Sequence, residues 1–317
     1  MARVVVALGG NALSKAGETG TWGEALRNMR SVTAPLVGLL NQGDELLITH
    51  GNGPQVGSLL VQQELAKSRV APLPMSALGG MTEGWIGFLI AQVLTSAIEK
   101  EGLGHSVVPI VTRSLVSAQD PSFRHPSKPV GPFYSENEAR LLKKQFGWAM
   151  GHDPRRGGWR RLVPSPLPID VIEGATLRRL FNSGFGSSTV FIAGGGGGIP
   201  VVRRRNGALE EVDAVIDKDR TAALLATTVH AEYLAIVTDV SHALIGFGTS
   251  HERELGRVAP EELQQHLAHG EFGEGSMKPK VEAALQFLAQ GGKRAVITDA
   301  YGLPRALRGK AGTVIEG

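Results

Sequence analysis

The chain has 317 residues, 42% hydrophobic and 20% charged, a balance that suits a folded protein with a sizeable core and argues against disorder. A formal charge of only +3 argues against a broad nucleic-acid-binding face. The absence of cysteine excludes disulfides, thiolate metal sites and cysteine nucleophiles.

In chain order, the first element is the apolar run Val4–Leu8, which lacks polar alternation and reads as a strand buried on both faces. No signal-peptide pattern precedes it, and no apolar stretch reads as long and clean enough to span a bilayer. The expectation is a soluble, cytoplasmic protein with no membrane partner. The run ends on Gly9, Gly10 and Asn11, where glycine lets the backbone turn tightly and approach a ligand; a plain strand-to-helix turn would look the same. A second strand, Glu45–Thr49, leads into "THGNGPQVG", where Pro54 suits the first turn of a helix. That helix, Pro54–Lys67, would place Val56, Leu59, Leu60 and Gln63 on one face. Ser106–Val111 reads as a third buried strand.

Residues Ala118 to Pro168, rich in Pro, Gly, Arg and aromatics, break the rhythm and are too long for an ordinary connection. They read as an inserted subdomain or lid. The pattern resumes with strands Thr189–Ala193, Ala235–Thr238 and Ala295–Thr298. A helix over Thr221–Ala226 would take Asp219 as its N-cap, and one over Lys280–Gln290 would place Val281, Ala284, Leu285 and Leu288 on one face and stop at Gly291. Strands alternating with helices predict an α/β fold with an open, mostly parallel sheet and ligands at the strands' carboxyl ends. The basic patches Arg155–Arg161 and Arg203–Arg205 read as solvated surface or small-anion contacts.

Glycine-rich strand ends recur in "ALGGNAL", "THGNGPQVG" and "AGGGGGIP". Three such loops on one sheet edge make a surface of N–H donors and helix N-termini suited to phosphate or another small oxyanion. A flexible linker is the plainer reading of the five-glycine run. The chain has no G-x-x-x-x-G-K-[ST], no G-x-G-x-x-G, no H-R-D or D-F-G and no H-E-x-x-H, which sets aside P-loop, dinucleotide-binding, protein-kinase and zincin chemistry. His50 stands alone beside a glycine loop and reads as structural. Lys128, Lys218 and Lys280 each fall at a loop or helix start, where a lysine opposes the helix dipole unless an anion is present. Together they suggest a shared anion site, although each alone reads as solvated surface.

At these motifs the chain resembles the carbamate kinases of the amino acid kinase superfamily. The resemblance spans essentially the whole length and rests on "ALGGNAL", "THGNGPQVG", "GWIG", "KPVGPFY", "GWRRLVPSP", "GGGGGIP", "VIDKD", "TDV" and "GSMKPK" in that order. It implies a three-layer α/β/α sandwich forming one domain over 1–317. An acceptor lobe would span about 1–200, with a protruding lid at about 118–165, and a nucleotide lobe about 201–317. It implies ATP or ADP with Mg²⁺ carried by the nucleotide, carbamate or carbamoyl phosphate as the second substrate, and a homodimer. It assigns Gly9, Gly10, Asn11, Gly51, Asn52 and Gly53 to the acceptor and the moving phosphoryl group. Lys128, Lys218, Asp219 and Lys280 become catalytic, with Lys218 and Lys280 on nucleotide phosphates and Asp219 orienting the lysines. Thr238, Asp239 and Met277 would border the nucleoside.

Two departures stand out: Lys278 replaces the glycine usual beside the phosphate loop, and Gly246 and Phe247 replace an aromatic pair. Alternatives are a kinase of the same fold acting on another small carboxylate or phosphonate, or a nucleotide-binding regulator without catalysis.

Overall fold

The computed structural model describes residues 2–15, 17–153, 157–273 and 276–317; the side chains of Asn11, Pro132 and Asp153 lie outside that description. Its largest sheet has eight strands in the spatial order Arg257–Val258, Thr313–Ile315, Arg294–Thr298, Tyr233–Val237, Arg3–Leu8, Glu45–His50, Thr189–Ile192 and Ser106–Pro109. Only the pairing of Arg294–Thr298 with Thr313–Ile315 is antiparallel. The helices are α1 (Trp22–Leu40), α2 (Gly53–Ala66), α3 (Met75–Lys100), α4 (Glu136–Phe146), α5 (Gly174–Asn182), α6 (Lys218–Thr228), α7 (Pro260–Ala268), α8 (Met277–Ala289) and α9 (Leu303–Leu307).

The first strand shows why its sequence lacks alternation. Val4, Val6 and Leu8 face a core shared with α1, α3 and α9, while Val5 and Ala7 face a second core shared with α5, α6, α7 and α8. Helices cover both faces, so every position from Val4 to Leu8 is buried and apolar. The result is the expected three-layer α/β/α sandwich.

The described residues of the stretch that breaks the rhythm form regular elements. Lys128–Tyr134, Gly158–Val163 and Ala149–Asp153 form a three-stranded antiparallel sheet, with α4 joining Lys128–Tyr134 to Ala149–Asp153 in sequence. α4 starts on a Ser135–Glu138 capping box and ends on Gly147 at φ +67°, a left-handed position that glycine adopts without strain. A four-stranded sheet of Leu209–Glu211, Ile199–Arg203, Arg113–Val116 and Pro168–Val171 lies outside the sequence reading.

Several expectations need correction. Ser106–Val111 is shorter, ending at Pro109, and it is the exposed edge of the large sheet rather than a buried strand. α2 buries only Val56 and Gly57; Leu59, Leu60 and Gln63 are half-buried. α3 is long and apolar enough to cross a membrane by length and composition, contrary to the sequence reading, but it packs its buried Leu78, Ile86, Leu89, Ile90, Leu94 and Ile98 within the protein. α8 buries Phe287 and Ala283 along with Val281 and Ala284, while Leu285 and Leu288 are half-buried. Gly291 follows the last turn at φ +96°.

The basic patches are used within the fold. Arg160 donates to the Gly131 carbonyl, Arg161 pairs with Asp213, Arg203 donates to the Gly207 carbonyl and Arg204 pairs with Glu210. Arg155 and Arg156 lie outside the described residues.

Candidate active site

Tyr233–Val237, Arg3–Leu8, Glu45–His50 and Thr189–Ile192 are neighbours and parallel, so their carboxyl ends open on the same edge. The chain steps to one side of Arg3–Leu8 with Glu45–His50 and later to the other with Tyr233–Val237, and a crevice opens at that switch. A cavity of about 540 Å³ occupies it, within the range of small-ligand sites. Gly9, Gly10, Gly51, Asn52 and Gly53 line one part and Thr238, Asp239 and Met277 another, with Lys128, Lys218, Asp219 and Lys280 also in its wall. Every sequence-derived candidate whose side chain is described lines this cavity. The backbone of Asn11 belongs to the short helical turn Gly10–Ala12, and its side chain lies outside the described residues.

The glycines at the first two strand ends serve close approach. A Cβ at Gly9 would lie 2.9 Å from the Val237 carbonyl oxygen, and one at Gly51 would lie 3.1 Å from the Gly10 nitrogen and 3.5 Å from Lys218 Cδ. Their N–H groups are not offered to a ligand, which corrects the idea that every glycine here donates to an anion. Gly9 donates to Val237 O at 2.8 Å and Gly51 to Leu8 O at 3.0 Å. The donors left are those of the helical starts: the turn at Gly10 and α2 at Gly53, whose first amides have no partner inside the helix. α6 begins with Lys218 and α8 with Met277, so three helix N-termini border the cavity and favour an anion there.

Two helix starts therefore carry lysines, and the carboxylates between them explain how. Asp217, not Asp219, is the N-cap of α6: its Oδ1 accepts the Asp219 N–H at 3.0 Å. Asp219 sits in the first turn, is buried, and takes Lys218 on Oδ1 and Lys280 on Oδ2, the latter at 2.8 Å. Lys128 reaches from the three-stranded subdomain to Asp217 Oδ2 at 3.0 Å. Burial alone would raise the Asp219 pKa, but Lys218 and Lys280 outweigh it and hold the carboxyl well below its ordinary range. Burial lowers Lys218, with Lys280 pushing the same way and Asp219 opposing. Burial also works against the charge on Lys280, but Asp219 more than offsets it and the pKa is raised.

His50 is buried and does not line the cavity. Its Nδ1 lies 3.1 Å from Gly51 O, which places the proton on Nδ1, and burial, helped by Lys218, holds its pKa down to about 4. It is a neutral packing group behind the loop, not a base. The five-glycine run is no linker: Gly194, Gly195, Gly197 and Gly198 are buried, and Gly196 lines the cavity.

Sequence reasoning missed Asp217 as a lysine partner, although it stands beside Lys218. It also missed Leu244 and Phe272, which line the cavity and carry no motif of their own. Phe247 lines the cavity too, while Lys278 is half-buried and does not line it.

A model of the amino acid kinase family matches residues 2–299. The chain belongs to the amino acid kinase family. Within that family it groups with the carbamate kinases. A carbamate kinase from Pyrococcus horikoshii is 45% identical over 315 residues, covering 99% of this chain and 98% of that protein. Carbamate kinase 3 from Staphylococcus aureus is 41% identical over 319 residues, covering both proteins completely. Among solved structures, the carbamate kinase from Giardia lamblia bound to AMP-PNP is 36% identical with a TM-score of 0.90, covering 99% of this chain and 98% of that one. As a member of the amino acid kinase family grouped with these proteins, the chain is a phosphotransferase.

Proposed function

We propose that the protein transfers a phosphoryl group reversibly between ATP and carbamate, giving ADP and carbamoyl phosphate. The observation that carries this reading is the convergence of Lys128, Lys218 and Lys280 with three helix N-termini on one cavity bordered by glycine loops. Carbamate is already an oxyanion, so its attacking oxygen needs no proton removed. Phosphoryl transfer then depends on in-line placement and on neutralising charge on the moving group.

In this reading the loops at Gly10 and Gly51–Gly53 hold the acceptor, with Asn11 assigned to the same role from the sequence. Lys218 and Lys280 bind nucleotide phosphates and balance the charge that spreads over the equatorial oxygens, and Asp219 fixes their spacing. Thr238, Asp239 and Met277, with Phe247 and Phe272, border the nucleoside. The three-stranded subdomain acts as the lid that brings Lys128 to the acceptor lobe. A Mg²⁺ ion entering with the nucleotide would shield its phosphate charge. Asp217 and Asp219 are taken by lysines and Glu271 accepts the Gly246 N–H, which leaves the exposed Asp239 as the lining carboxylate fitted to meet that ion. Carbamoyl phosphate is a mixed anhydride, so transfer to ADP is the downhill direction and the one proposed for the protein in the cell.

A cytoplasmic setting is in keeping with a cysteine-free chain. A homodimer is supported by exposed Trp22, Met81 and Phe88 on α1 and α3, where Trp22 stacks on Phe88 at 6.1 Å between ring centroids. The acceptor is tested by offering carbamate, acetate and a small phosphonate with Mg-ATP. ADP release with carbamate alone supports the reading; release with one of the others and not with carbamate replaces the acceptor.

A further inference from the structure

Behind the glycine loops lies a buried polar node that the proposed transfer does not use. Thr82 and Glu83 are consecutive on α3, and both are buried. Thr82 Oγ1 accepts from Asn52 Nδ2 at 2.8 Å. Glu83 Oε2 accepts both the N–H and the O–H of Thr112, each at 2.9 Å, and Thr112 Oγ1 in turn accepts the Gly194 N–H at 2.8 Å. From Gly194 the chain turns through Gly196, Gly197 and Gly198, all at positive φ, a path open to glycine.

That turn touches both halves of the cavity. A Cβ on Gly196 would lie 2.1 Å from Asn52 Nδ2, so the turn presses directly on the acceptor loop. The Gly197 carbonyl accepts from Ser114 at 2.7 Å and from Thr221 at 2.9 Å, and Thr221 belongs to α6, which carries Lys218 and Asp219. α3 thus holds the acceptor loop through Thr82 and the opposing glycine turn through Glu83.

We propose that Glu83 is a positioning residue for the acceptor end of the cavity: by holding Thr112 it fixes the turn 194–198, against which Asn52 and the start of α6 are set. The kinetic part of this inference rests on the proposed phosphoryl transfer. Glu83 Oε1 is buried without a partner among the described residues, so the carboxyl is kept at a desolvation cost that packing alone does not require. Burial, working against the two Thr112 bonds, lifts its pKa to about 8. The group therefore holds Thr112 in neutral solution without setting a negative charge behind an anion site.

Three variants test this: Glu83→Ala, Glu83→Gln and Thr112→Val, each read by steady-state kinetics in ATP formation and by hydrogen exchange of residues 194–198. Glu83→Ala should raise KM for carbamoyl phosphate by about tenfold or more with KM for ADP changed less than about threefold, a displacement effect confined to one substrate. Thr112→Val keeps the volume, removes the link to Gly194 and should reproduce the effect; it carries the test if Glu83→Ala does not fold. Glu83→Gln keeps an acceptor oxygen for Thr112 and should stay within about threefold of the parent. Exchange at 194–198 should quicken in the first and third variants only. Equal shifts in both KM values, unchanged kinetics in Thr112→Val, or Glu83→Gln as damaged as Glu83→Ala would overturn the proposal. If the parent protein forms no ATP, the proposed function fails, and the exchange pattern alone still decides the role of Glu83.

Discussion

Asp219 and Glu83 are carboxyls at the same depth, 3% and 4% exposed, yet they reach opposite ionisation states. Asp219 is flanked by Lys218 and Lys280 and stays charged; Glu83 has hydroxyl and amide donors on one oxygen only and takes up a proton. Depth sets the cost of a buried charge, but partners decide whether it is met. The protein keeps its ion pairs where an anion is expected to dock, and uses an uncharged acid where the task is to hold backbone.

The strongest way to break this contrast is Asp219→Asn, which leaves two buried lysines facing each other without their carboxylate. Turnover should fall by roughly a hundredfold or more, and Tm should drop, since breaking a buried ion pair costs about 3–5 kcal/mol. Unchanged turnover in a folded variant would show that the lysines need no such partner. Lys128→Ala is the next largest. Lys128 is only half-buried and joins the cluster through Asp217, so turnover should fall about tenfold to a hundredfold while KM for ADP moves less than about threefold. Weaker nucleotide binding with normal turnover would place Lys128 in the wrong half of the cavity.

Glu83→Gln sharpens the comparison through stability. A pKa raised from 4.5 to about 8 means that the unfolded chain gives up its proton first, so the stability from Glu83 is full below pH 4.5 and is lost as pH rises through 8. Tm of the parent should therefore decline relative to Glu83→Gln between pH 5 and about 8, by an amount corresponding to a few kcal/mol. Parallel Tm curves would contradict an uncharged Glu83. The smallest effect concerns His50, whose folded pKa is lowered from 6.5 to about 4. Its contribution is present above pH 6.5 and is lost as pH falls towards 4. An NMR titration should find the His50 ring neutral at about pH 5.5, and a protonated ring there would mean that it is not enclosed.

The two sides of this contrast were not equally legible in the sequence. The cavity floor was, because glycine loops, lysines at helix starts and the acids beside them are short local patterns. The N-cap was misplaced by two residues, since Asp217 and Asp219 offer the same side chain and only the backbone decides which one caps. Glu83 was invisible: it sits in the apolar helix α3, and its partner Thr112 is 29 residues away, brought close only by packing. α3 itself shows no sharp apolar stripe because it is apolar on most sides, and the edge strand at Ser106–Pro109 reads as buried because an edge is a property of the sheet, not of the segment.

The account depends most on the lysine cluster acting on phosphoryl groups, and the most direct measurement is ATP formation from ADP, Mg²⁺ and carbamoyl phosphate, with Lys218→Ala as the control. Rapid ATP formation that falls by about a hundredfold or more in the variant is the predicted result. Folded protein that binds ADP and forms no ATP, or a Lys218→Ala variant as fast as the parent, would contradict it.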